Sequence, residues 1–160
     1  MVNVLFVCMG NICRSPMAQA AFEKLLRQEG LEDEISVDSA GTGSWHVGQP
    51  PDTRAQESAA RRNLDLAHQR ARQVTPEDCR KFDYLIVMDR DNHQSVSALC
   101  RGSGPKARLF LEFAESSARQ EVPDPYYGGP DGFERALDLV EEAARGLLDE
   151  IRRRDLEGHV

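Results

Sequence analysis

The chain has 160 residues, of which 40% are hydrophobic and 29% are charged, and its formal net charge is −7. This length suits a single domain, residues 1–160, and the composition is typical of a soluble globular protein. The absence of any apolar run of about 18 residues argues against a membrane partner, and the negative charge argues against nucleic acid. Because the first residues do not resemble a signal peptide, we expect a cytoplasmic location.

Strands and helices are predicted to alternate along the chain. Four apolar, β-rich segments predict strands, at residues 2–7, 35–40, 84–88 and 107–111. Capping residues and helical spacing predict helices, at residues 15–30, 52–62, from 75 onward, 89–99 and 132–153. This alternation implies parallel βαβ units. We therefore predict an α/β fold, a single doubly wound domain with a four-stranded parallel sheet and helices on both faces.

The polar residues that follow these strands are candidates for a binding site. Cys8 follows the first predicted strand, Ser39 lies near the end of the second, and Asp89 follows the third. Ligands of doubly wound sheets bind beyond the carboxyl ends of the strands. We therefore expect these residues, and the loop around Asp124 after the fourth strand, to lie at one edge of the sheet.

Metal chemistry is not expected from the cysteines and histidines. The chain has four cysteines and four histidines, but no C-x-x-C pair, and the histidines are scattered. A zinc site is therefore not predicted, and no cofactor is implied. Cys79 and Cys100 are predicted to be reduced thiols, some of them buried, as in most cytosolic proteins.

The loop between the first strand and the first helix has the pattern C-x5-R, from Cys8 to Arg14. Successive main-chain N–H groups of residues 9–14 can surround an anion, and the helix that follows adds its positive amino-terminal end. Arg14 can hold two phosphate oxygens at once. Ser15 is predicted as the N-cap of this helix, with Pro16 at the first helical position. The positive surroundings favour the thiolate of Cys8, so this loop, residues 8–15, predicts a phosphatase with a cysteine nucleophile.

A thiolate that attacks a phosphate ester also needs an acid for the leaving oxygen, and Asp124 is the candidate. It lies between Pro123 and Pro125, and the alternative is an ordinary Asp-Pro turn. Tyr126 and Tyr127 follow in the same loop and, together with Trp45, could form the walls of an aromatic slot. The alternative for these three side chains is ordinary packing.

These motifs resemble those of the low-molecular-weight protein tyrosine phosphatases. Residues 8–16, C-M-G-N-I-C-R-S-P, are similar to the signature loop of that family, and residues 124–127, D-P-Y-Y, to its general-acid loop. Further similar residues occur throughout the chain, at positions 38–42, 45, 51–55 and 88–89. The resemblance extends from Val2 to about Arg153 and includes two distant motifs in the family's order.

The resemblance implies a metal-independent reaction on phosphotyrosine in a protein or on a small aryl phosphate. Cys8 would form a phosphocysteine, Arg14 would hold the phosphoryl oxygens, and Asp124 would protonate the leaving phenol and then help water to release inorganic phosphate. The implied substrate-binding residues are Met9, Gly10, Asn11, Ile12, Cys13, Ser15, Trp45, Tyr126 and Tyr127. Ser15 would also hydrogen-bond the Cys8 sulfur, and Cys13 would bond reversibly to Cys8 under oxidation. The residues implied to support the loop are Ser39, Gln69 and Asp89.

One position departs from the family pattern. The family often has a histidine that supports the signature loop, in a His-x-Ala-Arg segment, and here the matching position is Gln69. Gln69 can supply a hydrogen bond but cannot titrate, and His68 is the alternative if the main chain shifts by one residue. The sequence leaves this choice open.

Three other functions fit parts of the sequence. Arsenate reductases share the fold but need a further pair of cysteines close together, whereas Cys79 and Cys100 are far apart in the sequence. Protein-arginine phosphatases tend to have threonine where this chain has Ile12, and an apolar Ile12 favours a phenyl ring. A module that only binds phosphate would need neither thiol nor acid. The larger tyrosine phosphatases are excluded, because their acid precedes the cysteine and a histidine usually stands at the position of Val7.

Overall fold

The parallel sheet is built around the first strand. The structure is a computed structural model that describes residues 1–114, 120–127, 129 and 131–156, with only the main chain of Tyr127. The strands are β1 (Val2–Cys8), β2 (Ile35–Gly41), β3 (Tyr84–Val87) and β4 (Ala107–Leu109). All pair in parallel in the order β2-β1-β3-β4, which confirms the predicted sheet.

Helices cover both faces of this sheet, as predicted. They are α1 (Arg14–Gln28), α2 (Thr53–Ala60), α3 (Pro76–Lys81), α4 (Arg90–Cys100) and α5 (Asp131–Ile151), and one turn of π-helix follows at Arg152–Leu156. Val4 and Phe6 of β1 pack with α1, α2 and α5, whereas Leu5 and Val7 pack with α3 and α4. All four side chains are fully buried, as expected for a central parallel strand. In the described part of the chain, none of the helices combines the length and the apolar character that a membrane span requires.

The predicted cap of the first helix is wrong. The helix begins at Arg14, with Cys13 at the N-cap position, so Ser15 and Pro16 lie inside the first turn. The Ser15 hydroxyl lies 3.0 Å from the Cys8 sulfur and is not used for capping. The Ser15 hydroxyl therefore contacts the Cys8 sulfur instead of capping the helix, which is what the sequence favoured.

The fourth strand is shorter than predicted. It ends at Leu109, and the next residues form a turn of 3-10 helix, Phe110–Phe113. The Glu112 side chain accepts a hydrogen bond from the Leu109 N–H, at 3.1 Å, and this contact ends the strand. The other predicted strands and helices differ from the observed ones by one or two residues at their ends.

The prediction that Cys79 and Cys100 are reduced thiols is also wrong. The two residues form a disulfide between α3 and α4, with their Cα atoms 5.5 Å apart. The two residues are far apart in sequence, because α3 precedes β3 in the chain and α4 follows it. In space, however, both helices pack on the same face of the sheet. This packing brings the last turn of α4 next to α3. Cys8 and Cys13 are free.

Candidate active site

The loop after β1 places the Cys8 sulfur at the bottom of a cavity. Cys8 is 3% exposed, and its Sγ atom lies 3.0 Å from Ser15 Oγ. The main-chain N–H of Asn11 donates a hydrogen bond to the same sulfur, at 3.2 Å. The loop thus places a main-chain N–H and a hydroxyl group against the sulfur.

Asn11 stabilises the conformation of this loop through its side chain. Its φ angle is 57°, in the left-handed region, which asparagine tolerates better than most residues. Its side-chain amide donates to Ser15 Oγ at 2.8 Å and to Ser39 Oγ at 3.0 Å, and its Oδ1 atom accepts from the Arg72 main-chain N–H at 3.0 Å. Ser39 therefore lies beside the loop, where the sequence analysis placed it.

Arg14 supplies a buried positive charge at the base of the cavity. Its Nη1 atom donates to Asp89 Oδ2 at 2.7 Å and to the carbonyl of Val122 at 3.0 Å, and Arg14 is only 2% exposed. Burial lowers the pKa of Arg14, but Cys8 and the nearby carboxylates outweigh it and the net pKa is raised. The side chain is therefore a fixed cation, and Asp89 orients it.

Asp124 reaches the same cavity from the loop that follows the fourth strand. Its Oδ2 atom lies 3.5 Å from Arg14 Nη2, and its Oδ1 atom accepts the Tyr126 main-chain N–H at 3.1 Å. The first contact is longer than a strong charged hydrogen bond. Asp124 is thus held near the cation but remains partly open to the cavity.

Arg54, which the sequence analysis did not select as a site residue, connects the two loops. Its guanidinium lies 5.3 Å from the centre of the Tyr126 ring and donates to the Tyr126 carbonyl at 3.3 Å. It also pairs with Asp52, whose main-chain N–H donates to the carbonyl of Ile12 at 2.8 Å. The only sequence signal for this role was the similarity of positions 51–55 to the family.

The cavity between these loops has a volume of about 340 Å³. Its lining residues are Cys8, Met9, Gly10, Ile12, Cys13, Arg14, Trp45, His46, Asp124 and Tyr126. Trp45 is 70% exposed and Tyr126 is 39% exposed, so both offer ring surface to a ligand. The side chain of Tyr127 lies outside the described part of the structure.

His46 was missed by the sequence analysis, where its only signal was its place next to Trp45. Its Nδ1 atom lies 2.9 Å from Gln49 Oε1, and its ring centre lies 6.4 Å from that of Tyr126. The ring also covers Gly10, where an added β-carbon would lie 3.1 Å from the imidazole. His46 therefore forms part of the cavity wall.

Cys13 differs from Cys8 in its electrostatic surroundings. Burial raises the pKa of Cys13 far above its ordinary value, and the nearby charges of Asp52, Cys8 and Asp124 raise it further. Its thiol therefore stays protonated at neutral pH. Cys8, the other free cysteine, has the Asn11 N–H and the Ser15 hydroxyl against its sulfur.

Gln69 lies at the position where the family often has histidine. Its Nε2 atom donates to the carbonyl of Pro16 at 3.1 Å, in the first turn of α1. Gln69 is buried and His68 is exposed. Among the described residues, the buried Oε1 atom of Gln69 has no hydrogen-bond partner. Gln69 thus contacts the start of the helix that follows the loop.

Gly41, at the end of β2, lies too close to the loop for any side chain. An added β-carbon would lie 2.8 Å from the Met9 carbonyl oxygen and 3.1 Å from the Gly10 carbonyl carbon. We expect Gly41→Ala to lower the free energy of unfolding by about 1–3 kcal/mol, because main-chain atoms must move. Thermal unfolding would measure the change.

The matched control for this substitution is Gly132→Ala. In α5, an added β-carbon at Gly132 meets only ordinary contacts, the shortest being 3.6 Å to Pro125 Cβ. Alanine is also the better helix former, so Gly132→Ala should not destabilise the protein. Equal stability of the wild type and Gly41→Ala would contradict the close approach.

Comparison with known proteins identifies the family. The model of the family described as low molecular weight phosphotyrosine protein phosphatase matches residues 3–156. The low molecular weight protein-tyrosine-phosphatase YfkJ of Bacillus subtilis is 43% identical over 154 residues, covering 96% of this chain and 97% of the relative. The chain belongs to the low molecular weight phosphotyrosine protein phosphatase family.

Solved structures agree with this assignment. The crystal structure of YfkJ has a TM-score of 0.91 at 41% identity, with 97% of each chain covered. A protein tyrosine phosphatase from Entamoeba histolytica has a TM-score of 0.93 at 36% identity, with 98% of this chain and 100% of that chain covered. A Drosophila arginine phosphatase has a TM-score of 0.86 at 31% identity, with 97% and 100% covered.

Membership of this family makes the chain a protein tyrosine phosphatase of the low-molecular-weight, cysteine-based class. Three relatives that match over most of the chain are named as a protein-tyrosine-phosphatase or as a phosphotyrosine protein phosphatase. The arsenate-reductase and arginine-phosphatase alternatives, and that of a non-catalytic module, are not favoured.

Proposed function

We propose that this chain removes phosphate from phosphotyrosine in a protein, or from a small aryl phosphate, through a phosphocysteine on Cys8. One observation carries the proposal. Cys8 and Arg14, both in the loop after β1, line the same cavity as Asp124, which comes from a distant part of the chain. This combination supplies a nucleophile, a cation for the phosphoryl oxygens and an acid for the leaving group.

The first step is the transfer of the phosphoryl group to sulfur. The phosphoryl oxygens are held by the main-chain N–H groups of residues 9–14 and by Arg14, which Asp89 orients. The Cys8 thiolate then attacks phosphorus, and a sulfur–phosphorus bond forms while the bond to the phenol oxygen breaks. Asp124, in its protonated form, gives its proton to that oxygen, so the product leaves as a neutral phenol.

The second step is hydrolysis of the phosphocysteine. Asp124, now a carboxylate, takes a proton from water as the water oxygen attacks phosphorus. The sulfur–phosphorus bond breaks, and the Ser15 hydroxyl at 3.0 Å stabilises the returning thiolate. Inorganic phosphate leaves, and Asp124 is protonated again for the next cycle.

The residues at the edge and on the wall of the cavity account for the expected preference for an aryl substrate. Trp45 and Tyr126 present exposed aromatic surface at its edge, and Ile12 adds an apolar side chain to its wall. A phenyl ring can stack on these groups, whereas a guanidinium would lose hydrogen bonds to water beside Ile12. The expected order of substrates is phosphotyrosine first, with phosphoarginine and phosphoserine far behind.

We expect the purified protein to hydrolyse a phosphotyrosyl peptide at the same rate with and without EDTA. The loop itself supplies the positive charge that phosphoryl transfer needs. Vanadate should inhibit the reaction, because it can adopt the five-coordinate geometry of the reacting phosphorus above Cys8. Release of inorganic phosphate measures both effects.

Matched peptides that differ only in the phosphorylated residue make the control. A strict requirement for a metal ion would contradict the proposed reaction. Faster hydrolysis of phosphoarginine than of phosphotyrosine would contradict the substrate class, and so would arsenate reduction with a thiol donor in the absence of phosphatase activity.

A further inference from the structure

A second arginine, Arg72, contacts Asn11 in the loop of residues 8–15. The Arg72 main-chain N–H donates to Asn11 Oδ1 at 3.0 Å. Its guanidinium lies between two carboxylates, with Nη2 3.0 Å from Asp38 Oδ2 and Nη1 2.9 Å from Asp78 Oδ2. Arg72 therefore connects the loop to β2 and to α3.

The bond to Asn11 Oδ1 determines which way the Asn11 amide points. With Oδ1 held by Arg72, the amide nitrogen faces Ser15 and Ser39 and donates to both hydroxyls. Ser15 in turn contacts the Cys8 sulfur. Loss of the Arg72 contact would let the amide rotate, and the hydroxyl that faces Cys8 would lose its donor. A continuous set of hydrogen bonds thus leads from Arg72 to the nucleophile.

Both carboxylates hold the guanidinium through charged contacts. Burial alone would raise the pKa of Asp78, but Arg72 and the Thr75 groups outweigh it, and the net pKa is lowered. Asp78 is therefore ionised at neutral pH. Asp38 approaches from β2, where its other oxygen accepts the Ser39 N–H at 2.8 Å. The position of Arg72 thus depends on the positions of two separate elements.

One of these elements is too short to be stable alone. The helix α3 has six residues, and isolated helices of that length do not form. The residue after Asp78 is Cys79, and its disulfide to Cys100 attaches α3 to α4. Gly104 also packs so closely on α3 that an added β-carbon would overlap the Cys79 carbonyl oxygen. The disulfide and this packing therefore hold α3 in place, and with it the Asp78 carboxylate that pairs with Arg72.

We propose that Arg72 is a positioning residue for the catalytic loop, acting through Asn11, and that the Cys79–Cys100 disulfide supports it by holding Asp78. This inference rests on the proposed function of the loop. Arg72 lies outside the residues that line the cavity, so its effect on the reaction passes through the loop. Neither Arg72 nor the disulfide has a role in the reaction steps above.

The test must separate positioning from ordinary stabilisation, and Arg108 offers a matched control. The Arg108 side chain is 32% exposed and that of Arg72 is 34% exposed, and each pairs with two carboxylates. The partners of Arg108, Glu112 and Glu150, lie away from the catalytic loop. Arg72→Met and Arg108→Met therefore remove similar interactions at different places.

We expect Arg72→Met to lower kcat/KM for a phosphotyrosyl peptide by roughly tenfold, a size typical of residues that act through a neighbour. Arg108→Met should keep the wild-type value, although both variants lose thermal stability. The assays are run well below the unfolding temperature of each variant. Equal losses in the two variants, or no loss in Arg72→Met, would overturn the inference.

A double-mutant cycle with Asn11→Ala gives the sharper readout. If Arg72 acts through Asn11, the double variant Arg72→Met/Asn11→Ala has the same kcat/KM as Asn11→Ala alone. If Arg72 acts independently, the two losses multiply, and the inference fails. Activity of the wild type is measured first. A wild type without phosphatase activity would overturn the proposed function, whereas an active wild type with multiplicative losses would overturn only the role of Arg72.

Two milder variants keep the test decisive if Arg72→Met does not fold. Asp38→Asn removes one charge beside Arg72 and keeps the shape of the side chain, and Cys79→Ala/Cys100→Ala removes the disulfide. Each should lower kcat/KM by about threefold, and neither should lower it further in the Asn11→Ala background. Unchanged activity in both variants would contradict the inference.

Discussion

Cys8→Ser is expected to lower kcat for a phosphotyrosyl peptide by at least about 10⁴-fold, because a serine hydroxyl is a far weaker nucleophile than a thiolate at neutral pH. The oxygen fits the space of the sulfur, so the loop and Arg14 should still bind the phosphoryl group. Steady-state kinetics measures the first effect. Calorimetric titration of Cys8→Ser with a phosphotyrosyl peptide measures the second.

The neighbouring free thiol provides the control. Cys13→Ser should lose far less activity than Cys8→Ser, because the raised pKa of Cys13 keeps its thiol protonated. Near-normal turnover in Cys8→Ser would show that the nucleophile is misassigned. Loss of peptide binding together with turnover in Cys8→Ser would show that the loop had not kept its shape.

Asp124→Asn is expected to slow hydrolysis by about 10²- to 10³-fold when the leaving phenol is a poor one, and much less when it is a good one. An acid matters most where the leaving oxygen is most basic. The amide keeps an oxygen that can accept the Tyr126 N–H, so the loop should hold its position. Rates for a series of substituted phenyl phosphates measure the dependence on the leaving group.

A second carboxylate, Asp131, tests whether the loss of a negative charge alone explains slower hydrolysis in Asp124→Asn. Asp131, the first residue of α5, is exposed, and Asp131→Asn should leave the rates unchanged across the same series. An equal loss for every leaving group in Asp124→Asn would argue that Asp124 only places Arg14, and it would contradict the role of Asp124 as the acid.

The sheet and the main features of the site could be predicted because their signals are local. An apolar run such as Val4–Val7 marks a buried strand, and the residues between such a strand and a helix lie at the carboxyl edge of the sheet. By that rule Cys8, Asp89 and Asp124 are predicted to lie near one another. The structure brings Arg14 into contact with both carboxylates.

Contacts between distant parts of the chain could not be predicted in the same way. The disulfide of Cys79 and Cys100 depends on how two helices pack on the sheet, which no local pattern specifies. Ser15 is a good N-cap by local rules, yet its hydroxyl is used by Cys8 and Asn11. The surroundings of Arg72 likewise appear only when β2 and α3 are placed around it.

The choice between Gln69 and His68 shows a different limit of prediction from the sequence. The sequence offered two adjacent side chains that could support the loop. The structure places Gln69 inside, with its amide on the Pro16 carbonyl, and leaves His68 exposed. Burial of one neighbour over the other depends on the direction of the main chain in residues 66–70, which lie outside any regular strand or helix.

The most direct test of the account is to trap the phosphoryl group on the enzyme. The wild type is mixed with a phosphotyrosyl peptide, quenched in acid within the first turnover and analysed by mass spectrometry of its peptides. We predict the added mass of one phosphoryl group on the peptide that contains Cys8, and none on that peptide in Cys8→Ser. Rapid release of phosphate without phosphorylation of Cys8 at any quench time, or phosphorylation of another residue, would contradict the account.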